Sequence, residues 1–325
     1  MKSSSISLLF LLVLGTGAPA QESSDSAKGE PVRIKAGDLT AVFTDNAAYA
    51  GHRAWYNGVA YLSHQADTSD LFEPPVAGLN FEHIYDGQKW WQPAAALFEP
   101  RSSYMSITRL SDISVQLHQP PSDLHKLESW TKFTLTAPHY IDMDFFCIPR
   151  AATFDRGYIG LFWASYINTT DEAEKATYYI GHNAGEDSPR WIKYLTPAHA
   201  VTGTVKYEKD ERDPTFVEGF QRMLYNTFSD SVYSYPFYYG RRGNMVLILM
   251  FDQAGPVRFS HSPTSGSPVG PGTYPAWDFQ YLIFDYQVGQ RYGFKARAVY
   301  KPFVSPEDVI SEYEKWSGRK VNLTE

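Results

Sequence analysis

Short runs of β-branched and aromatic residues recur along most of the chain, separated by Gly, Pro, Asn and Asp. Such runs between turn residues are typical of β-strands. The unbroken apolar run MVLILMF at 245–251 predicts a strand buried on both faces, whereas WTKFTLT at 130–136 alternates with a period of two. Further strands are predicted at 39–44, 59–63, 104–110, 113–118, 157–166, 177–181, 201–207, 278–284 and 293–300.

Many strands without regular intervening helices predict an all-β protein, a large antiparallel two-sheet sandwich. Two segments differ and predict helices. Ser305 and Pro306, followed by acidic residues, form an N-terminal capping pattern, and Gly318 is suited to end that short C-terminal helix. A second, shorter helix is predicted at 215–224.

The N-terminal residues predict export. Lys2 precedes a short apolar run, and Ala18-Pro19-Ala20 matches the small-residue pattern of a signal-peptidase site. The run is much shorter than the roughly 20 residues that a membrane span needs. We expect a secreted or periplasmic protein without a membrane span. The expected divisions are a signal peptide at 1–20 cut after Ala20, a disordered leader at 21–30 and a single β-sandwich domain at 31–325.

Charge and cysteine content exclude several classes of function. The formal net charge is -7, and loss of Lys2 with the signal peptide takes it to -8. This balance disfavours nucleic acid, whose binding depends on basic residues that neutralise phosphates. Cys147 is the only cysteine and lies in an apolar run, so we expect it to be buried. Phosphate-loop, zinc-helix and nucleophile-elbow motifs are absent from the sequence, and we expect neither a cofactor nor a metal. The sequence leaves the oligomeric state open.

The segment GHRAWYNG at 51–58 is the first candidate for a functional loop. His52, Arg53 and Asn57 lie close together beside glycines, which indicates a loop that presents polar groups to a substrate. The alternative is a hairpin whose polar side chains satisfy only backbone groups.

The segment AGLNFEHI at 77–84 is the second candidate. On a strand, period two places Phe81 and His83 on one face and Asn80 and Glu82 on the other. Glu82 is then a candidate general acid or base beside Asn80, with His83 packed beneath it. The alternative is a solvated glutamate and a core histidine.

Two later segments carry further candidates. Asp142 shares a strand face with other polar groups in HYIDMD at 139–144. Arg258 and His261 precede a long Ser/Gly/Pro loop, and Asp278 follows it. Long loops of this kind often carry function on a sandwich. A wet sheet face and a plain surface loop are the respective alternatives.

Aromatic and arginine side chains indicate where sugar rings or carboxylates would bind, although each is equally compatible with core packing or a solvated turn. The candidates for substrate binding of this kind are Trp90, Trp91, Tyr239, Arg241 and Trp277.

The segment TLTAPHYID at 134–142, together with the strand pattern and chain length, resembles the galactose-mutarotase-like supersandwich. That fold recurs in sugar epimerases and in the β domains of polysaccharide lyases and glycoside hydrolases. The resemblance implies a supersandwich fold and a carbohydrate substrate, and no catalytic residue of any one family is carried over from it.

We therefore expect a secreted carbohydrate-active enzyme that cleaves glycosidic bonds in a polysaccharide or oligosaccharide. Hydrolysis needs two carboxylates, for which the candidates are Glu82 and Asp278, with Asp142 as substitute. Elimination needs a base and a group that neutralises a uronate, for which the candidates are His261, Tyr166 and Arg258. The alternatives are a non-catalytic carbohydrate-binding or cell-surface module and a mutarotase-like sugar epimerase.

Overall fold

The computed structural model describes residues 30–49, 51–88, 96–264 and 274–323. Strands dominate, and each strand predicted above is present with its ends moved by a few residues. The strands are β1 Val32–Ala36, β2 Leu39–Thr44, β3 Gly58–His64, β4 Asn80–Tyr85, β5 Ser106–Ser111, β6 Ser114–Gln119, β7 Leu127–Thr136, β8 Tyr140–Pro149, β9 Tyr158–Ala164, β10 Thr177–Asn183, β11 Arg190–Tyr194, β12 Thr204–Tyr207, β13 Phe228–Arg242, β14 Met245–Phe251, β15 Val257–Ser262, β16 Ala276–Phe284 and β17 Tyr292–Pro302. The helices are α1 Glu99–Ser102 and α2 Pro306–Ser317.

The strands form a three-stranded sheet and a 14-stranded sheet. The small sheet has the order β1-β2-β3. The large sheet runs β4-β9-β16-β15-β12-β13-β14-β17-β8-β7-β6-β5, with β10 and β11 attached at β13. Strands β12 and β13 pair in parallel, so the large sheet is mixed and not purely antiparallel as the sequence predicts.

The large sheet folds back on itself to make a sandwich. Phe81 on β4 lies 5.6 Å from Phe145 on β8, ring centroid to ring centroid, although these strands are far apart in the strand order. Trp163 on β9 lies 4.7 Å from Phe145, and Phe279 on β16 lies 5.7 Å from Phe294 on β17. The all-β sandwich-like architecture predicted from the sequence is confirmed, and this aromatic layer is its central core.

Strand β9 is buried on both faces, which explains its continuous apolar sequence. Leu161 and Trp163 face the central core, while Phe162 and Ala164 belong to a second apolar cluster on the opposite side. Successive side chains of a strand point to opposite faces, so this strand links the sandwich interior to an outer layer. That outer layer, made largely by loops, encloses the candidate site described below.

The helix predicted at 215–224 is wrong. These residues form an irregular segment, followed by a single 3₁₀ turn at Leu224–Asn226. The backbone N–H of Val217 donates to the carbonyl oxygen of Gly87, and Gly219 has a φ of +72°, outside the helical region. The apolar spacing of this segment serves packing on the second cluster, where Phe216 and Phe220 lie.

The C-terminal helix α2 is confirmed with its predicted caps. The Ser305 hydroxyl accepts a hydrogen bond from the backbone N–H of Asp308, and Gly318 adopts the left-handed conformation at φ +69°. The buried face of the helix packs Tyr313 on Phe237 of β13, with ring centroids 4.6 Å apart. Among the described residues, no helix is long and apolar enough to cross a membrane.

A buried carboxylate fastens α2 to the sheet. The Tyr140 hydroxyl donates to Glu312 Oε2 at 3.0 Å, and the Lys301 ammonium donates to Glu312 Oε1. The His139 side chain, with Nε2 3.9 Å from Oε1, and then Lys301 lower the pKa of Glu312 to about 2, although burial opposes the shift. A carboxylate with a lowered folded-state pKa stabilises the fold above its unfolded pKa, and this contribution is lost as the pH falls.

We expect Glu312→Gln to destabilise the protein at pH 7 by about 2 kcal/mol, the usual scale for hydrogen bonds to a charged group. The wild-type advantage should disappear as the pH falls from about 4.5 towards about 2. Urea unfolding at several pH values measures both effects. Glu314→Gln on the same helix is the control and should change stability far less, because its cation partner Lys320 is exposed and glutamine keeps an oxygen that can accept from the backbone N–H of Val321. A pH-independent difference between wild type and Glu312→Gln would contradict the role of ionisation.

Candidate active site

A cavity of about 310 Å³ opens on the side of β4 and β9 that faces away from the central core. This volume is that of about ten water molecules at ~30 Å³ each and lies in the range of small-molecule sites. Six aromatic side chains contribute to its wall, and several titratable groups line it. The lining residues are Arg53, Trp55, Tyr56, Glu82, His83, Phe98, Arg101, Phe162, Tyr166, His199, Met223, Leu224, Tyr225, Ser262, Ala276 and Asp278.

A β-bulge in β4 brings two neighbouring side chains into this cavity. The register with β9 shifts between Phe81, which pairs with Trp163, and His83, which pairs with Phe162, so Glu82 is the extra residue. A bulge changes which way the following side chains point. Glu82 and His83 therefore both line the cavity, while Phe81 lies in the central core. The prediction that His83 and Phe81 share a face is wrong for this reason.

Glu82 is held by two donors. Arg101 Nη1 lies 2.6 Å from Glu82 Oε1, and the Tyr166 hydroxyl lies 2.9 and 3.1 Å from its two oxygens. Burial, followed by the negative charge of Glu82, raises the pKa of Tyr166 well above its ordinary value. Tyr166 therefore keeps its hydroxyl proton at neutral pH and acts as a hydrogen-bond donor.

Arg101 comes from α1, and its position is fixed by several contacts. Its Nε donates to the carbonyl oxygen of Trp55 at 2.7 Å, and its guanidinium lies 3.9 Å from the centroid of the Tyr56 ring. The carbonyl of Pro100 next to it accepts from the side chains of Asn46 and Gln119. Helix α1 thus supplies the cation of a buried ion pair. Contacts of Arg101 itself and of the neighbouring Pro100 hold that cation in place.

Trp55 stands at the mouth of the cavity in a costly conformation. Its φ is +78°, in the left-handed region that aromatic residues rarely adopt. The backbone N–H of Trp55 donates to Asn46, and its carbonyl accepts from Arg101. The indole is 57% exposed. An exposed ring held rigidly beside a cavity is suited to stack on a ligand.

His83 is buried among rings and has no hydrogen-bond partner on either ring nitrogen within the described chain. Its ring stacks on Phe162 at 5.2 Å and meets Phe98 edge-on at 4.6 Å. Burial lowers the pKa of His83 to about 4, although Glu82, 3.7 Å away, opposes the shift. His83 is therefore neutral at pH 7, with unsatisfied polar atoms beside the cavity. Buried polar groups normally have partners, and a ligand can supply one here.

Asp278 on β16 supplies a second carboxyl group of different character. It is 2% exposed, and Oδ1 accepts one backbone hydrogen bond from Ser165 at 3.0 Å. Burial, aided by the charge of Glu82, raises the pKa of Asp278 well above its ordinary value. Burial of this kind favours the protonated form of a carboxyl group, which can then donate its proton.

His199 lies at the rim of the cavity beside Ser262. Its Nδ1 is 2.9 Å from the Ser262 hydroxyl oxygen, and that hydroxyl donates its proton to the carbonyl of Thr264. Nδ1 must therefore carry a proton, which leaves Nε2 of a neutral ring as an acceptor. Burial lowers the pKa of His199 against the opposing effect of Glu82.

The cavity thus gathers five residues that the sequence singles out, together with others that it does not. Arg53, Glu82, His83, Tyr166 and Asp278 are the predicted ones. Sequence reasoning missed Arg101, His199, Tyr56 and Tyr225, because single residues in irregular segments give no periodic pattern. Trp55 and Tyr56 lie inside the flagged segment GHRAWYNG, and that segment was the only available indication.

Four of the other predicted residues lie behind the cavity wall or far from it. His261 shares the core-facing side of β15, and its nitrogens are engaged by Thr196 and the carbonyl of Lys175. Arg258 is fully buried against Asp210 at 2.7 Å. Trp277 is buried, and its indole N–H donates to the Lys175 carbonyl. Asp142 on β8 pairs with Arg297 on the neighbouring strand β17, and neither residue lines the cavity.

The remaining residues predicted to bind substrate contact other parts of the protein or lie outside the residues that the structure describes. His52 bonds to the Tyr56 carbonyl, and Asn57 bonds to the backbone of Phe81. Tyr239 packs in the cluster under α2, and Arg241 lies over the Phe303 ring. The side-chain oxygen of Asn80 accepts from the backbone N–H of Asn57. Trp90 and Trp91 lie outside the described residues.

A separate cluster of Asp38, His64 and His139 brings three potential metal ligands within 4.8 Å of one another. His64 Nδ1 accepts a hydrogen bond from the backbone N–H of Ala66 at 2.9 Å. A neutral His64 ring then carries its proton on Nε2, the atom that faces Asp38 at 3.5 Å. This arrangement suits a His–Asp hydrogen bond and not a metal ligand.

No family model matches the chain, and no curated protein does. Among solved structures it is similar to the GalM/aldose epimerase homologue from C. elegans, with 9% identity, 85% of this chain and 100% of that chain covered, and a TM-score of 0.49. The Slr1438 protein from Synechocystis sp. PCC 6803 shows 7% identity, coverage of 88% and 100%, and a TM-score of 0.45.

The heparan sulfate lyase HepC from Pedobacter heparinus shows 11% identity and a TM-score of 0.43, with 85% of this chain and 36% of that chain covered. The chain thus matches about a third of that lyase. An aldose epimerase homologue and a polysaccharide lyase are thus among the structures to which this chain is similar, and the supersandwich that the sequence resembles recurs in both classes of protein. The case for a site rests on the cavity itself.

We expect Arg101→Met to destabilise the protein by about 3 kcal/mol or more, because it leaves the buried Glu82 charge without its cation. The double variant Arg101→Met with Glu82→Gln should recover part of the loss. Chemical unfolding of the single and double variants measures this coupling. Arg190→Met, which breaks an exposed pair with Glu186, is the control and should leave stability nearly unchanged. A double variant as unstable as Arg101→Met would assign the loss to packing and not to charge.

Proposed function

We propose that this chain is an exported enzyme that cleaves glycosidic bonds in a carbohydrate by hydrolysis. The observation that carries the proposal is the presence of Glu82 and Asp278 in the wall of one cavity. One is a carboxylate bound by Arg101, and the other is a buried acid with a raised pKa. Glycosidases use such a pair, one group protonated and the other ionised.

In this mechanism Asp278 gives its proton to the oxygen of the leaving sugar. Positive charge then develops on the ring of the sugar whose bond breaks. Glu82 stabilises that charge from its fixed position, either by attacking the anomeric carbon or by activating water. Arg101 and Tyr166 keep the Glu82 carboxylate in place, which limits reorganisation during the reaction. Trp55 offers a stacking surface at the mouth.

Two features favour hydrolysis over elimination. Elimination requires a side chain that removes a carbon-bound proton, and the raised pKa of Tyr166 keeps its hydroxyl protonated, so no phenolate is present to accept that proton. The other elimination candidates, Arg258 and His261, are engaged elsewhere in the interior. Neither residue lines the cavity among the described residues.

A mutarotase-like epimerase is the second candidate, and one observation favours it. Neutral His83, with free ring nitrogens, lies 3.7 Å from the Glu82 carboxylate. A carboxylate and a neutral imidazole can exchange the proton of an anomeric hydroxyl between them. This reaction releases no new reducing end, so product analysis separates it from hydrolysis. A binding module needs no such acid–base groups, and their presence in the cavity argues against it.

Protein that begins at Gln21 tests the proposal on a panel of neutral and acidic oligosaccharides. We expect new reducing ends without the ultraviolet absorbance of an unsaturated uronate. Absorbance together with reducing ends would indicate elimination. Faster exchange of sugar anomers without cleavage would indicate the epimerase. Retention by a glycan affinity gel without product would indicate a binding module.

Glu82→Gln and Asp278→Asn should each lower kcat/KM by about 100-fold or more, the usual contribution of an acid or base group. Asp144→Asn is the matched control, because it removes a carboxylate on strand β8 outside the cavity, and it should leave turnover unchanged. The wild-type rate should fall as the pH rises through the Asp278 pKa, since the acid form donates the proton. Unchanged turnover in both cavity variants would remove these residues from the mechanism.

A further inference from the structure

Arg53 is the one arginine of the cavity wall whose charge has no ion-pair partner. In the described part of the chain, no carboxylate lies within the 4.0 Å ion-pair distance of its guanidinium. Its Nη1 is buried and has no hydrogen-bond partner. The other arginine of the wall, Arg101, is bound to Glu82 at 2.6 Å.

Packing holds the Arg53 side chain in a defined place. Its guanidinium carbon lies 5.3 Å from the centroid of the Tyr56 ring, and its backbone N–H donates to the carbonyl of Pro75 at 3.0 Å. Glu73 is the acid whose field reaches Arg53, and Glu73 Oε2 is itself buried without a hydrogen-bond partner. Glu73 does not line the cavity, so a ligand can reach Arg53 without displacing it.

The other charges of the wall nearly cancel. Glu82 is paired with Arg101, and burial of Asp278 raises the pKa of that carboxyl group and so favours its neutral form. Burial lowers the pKa values of His83 and His199, so neither ring adds positive charge. Arg53 therefore leaves the cavity with a positive charge, in a chain whose formal net charge is -7. A local cationic wall attracts an anion even on an acidic protein.

We propose that the cavity binds a sugar that carries an anionic group, a uronic-acid carboxylate or a sulfate ester, and that Arg53 pairs with that group. The inference rests on the proposed function only in taking the ligand to be a sugar. Arginine presents a planar set of donors that matches the oxygens of a carboxylate or sulfate. The anion would pair with the guanidinium of Arg53, which lines the cavity and has no ion-pair partner among the described residues. Arg53 is a specificity-determining residue in this proposal, and the bond is cleaved by the groups described above.

Binding to the Asp278→Asn variant tests the proposal without turnover. Titration calorimetry compares glucuronic acid, glucose 6-sulfate and glucose. We expect at least one acidic sugar to bind roughly ten- to 100-fold more tightly than glucose, the scale of hydrogen bonds to a charged group. The preference should weaken with added salt. The carboxylate and sulfate arms identify which anion the cavity takes.

Adding Arg53→Gln to that variant should abolish the preference while glucose binding stays unchanged. Arg53→Lys should retain part of it, since lysine keeps the charge and loses the planar donor geometry. Arg291→Gln is the matched control: its guanidinium lies over the Phe146 ring, 3.6 Å from the centroid, outside this cavity. Glu73→Gln should leave the preference in place or strengthen it. Thermal unfolding confirms that each variant is folded.

Equal binding of acidic and neutral sugars, or an acid preference that survives Arg53→Gln, would overturn the proposal. These outcomes are distinct from a failure of the proposed hydrolysis. An enzyme that binds glucuronic acid through Arg53 and releases no reducing ends would keep this inference and lose that reaction. Hydrolysis of neutral glycosides alone, with no effect of Arg53→Gln on binding, would keep the proposed hydrolysis and overturn the anionic-sugar inference.

Discussion

The buried ion pair between Glu82 and Arg101 connects the parts from which the cavity is built. Glu82 comes from the bulge of β4, and Arg101 comes from the short helix α1. Through Trp55 and Tyr56, Arg101 also holds the loop that forms the mouth. A charge this deeply buried is stable only when its partner is present. The cavity therefore depends on the pair being intact, and the strained backbone at Trp55 depends on it as well.

The cavity wall separates groups of the same chemical type by their surroundings. Two carboxyl groups line it, yet a cation binds Glu82 while burial raises the pKa of Asp278. Two histidines line it, and the pKa of each is lowered by its partial or full removal from water. Side chains that can donate a proton and side chains that can accept one therefore line the same cavity. This arrangement supports acid–base chemistry on a ligand better than it supports a structural role, which would leave no nitrogen of His83 without a partner.

The large sheet explains how one protein holds both a dense core and a cavity lined by titratable groups. Folding the sheet back on itself buries the rings of Phe81, Trp163 and Phe145 against one another. The opposite face of the same strands carries Phe162 and Ala164 into the second cluster. Alternate side chains of these strands point to the central core and to the outer layer. A single bulge in β4 therefore suffices to bring both Glu82 and His83 into the cavity wall, while Phe81 still packs in the central core.

Local patterns in the sequence predicted most of the strands, the sandwich class and helix α2 with its Ser305 and Gly318 caps, because these depend on neighbouring residues and on period. They did not single out β1, β11, β13 or β15. The same reasoning failed at 215–224, where apolar spacing serves a loop that Gly219 bends away from a helix. It also placed His83 on the wrong face, since a bulge depends on the register with β9 and leaves no mark in β4 alone.

The candidate site divides in the same way. Residue type alone singled out Arg53, Glu82, His83, Tyr166 and Asp278, yet it equally singled out His261 and Arg258, which the fold buries in other contacts. The sequence by itself determined most of the strands, the β-sandwich class and several of the side chains that line the cavity. The tertiary structure alone decided which of them meet, because Glu82, Arg101, His199 and Asp278 come from segments far apart in the chain. Their pairing and burial, and hence their pKa values, depend on the tertiary contacts between those segments.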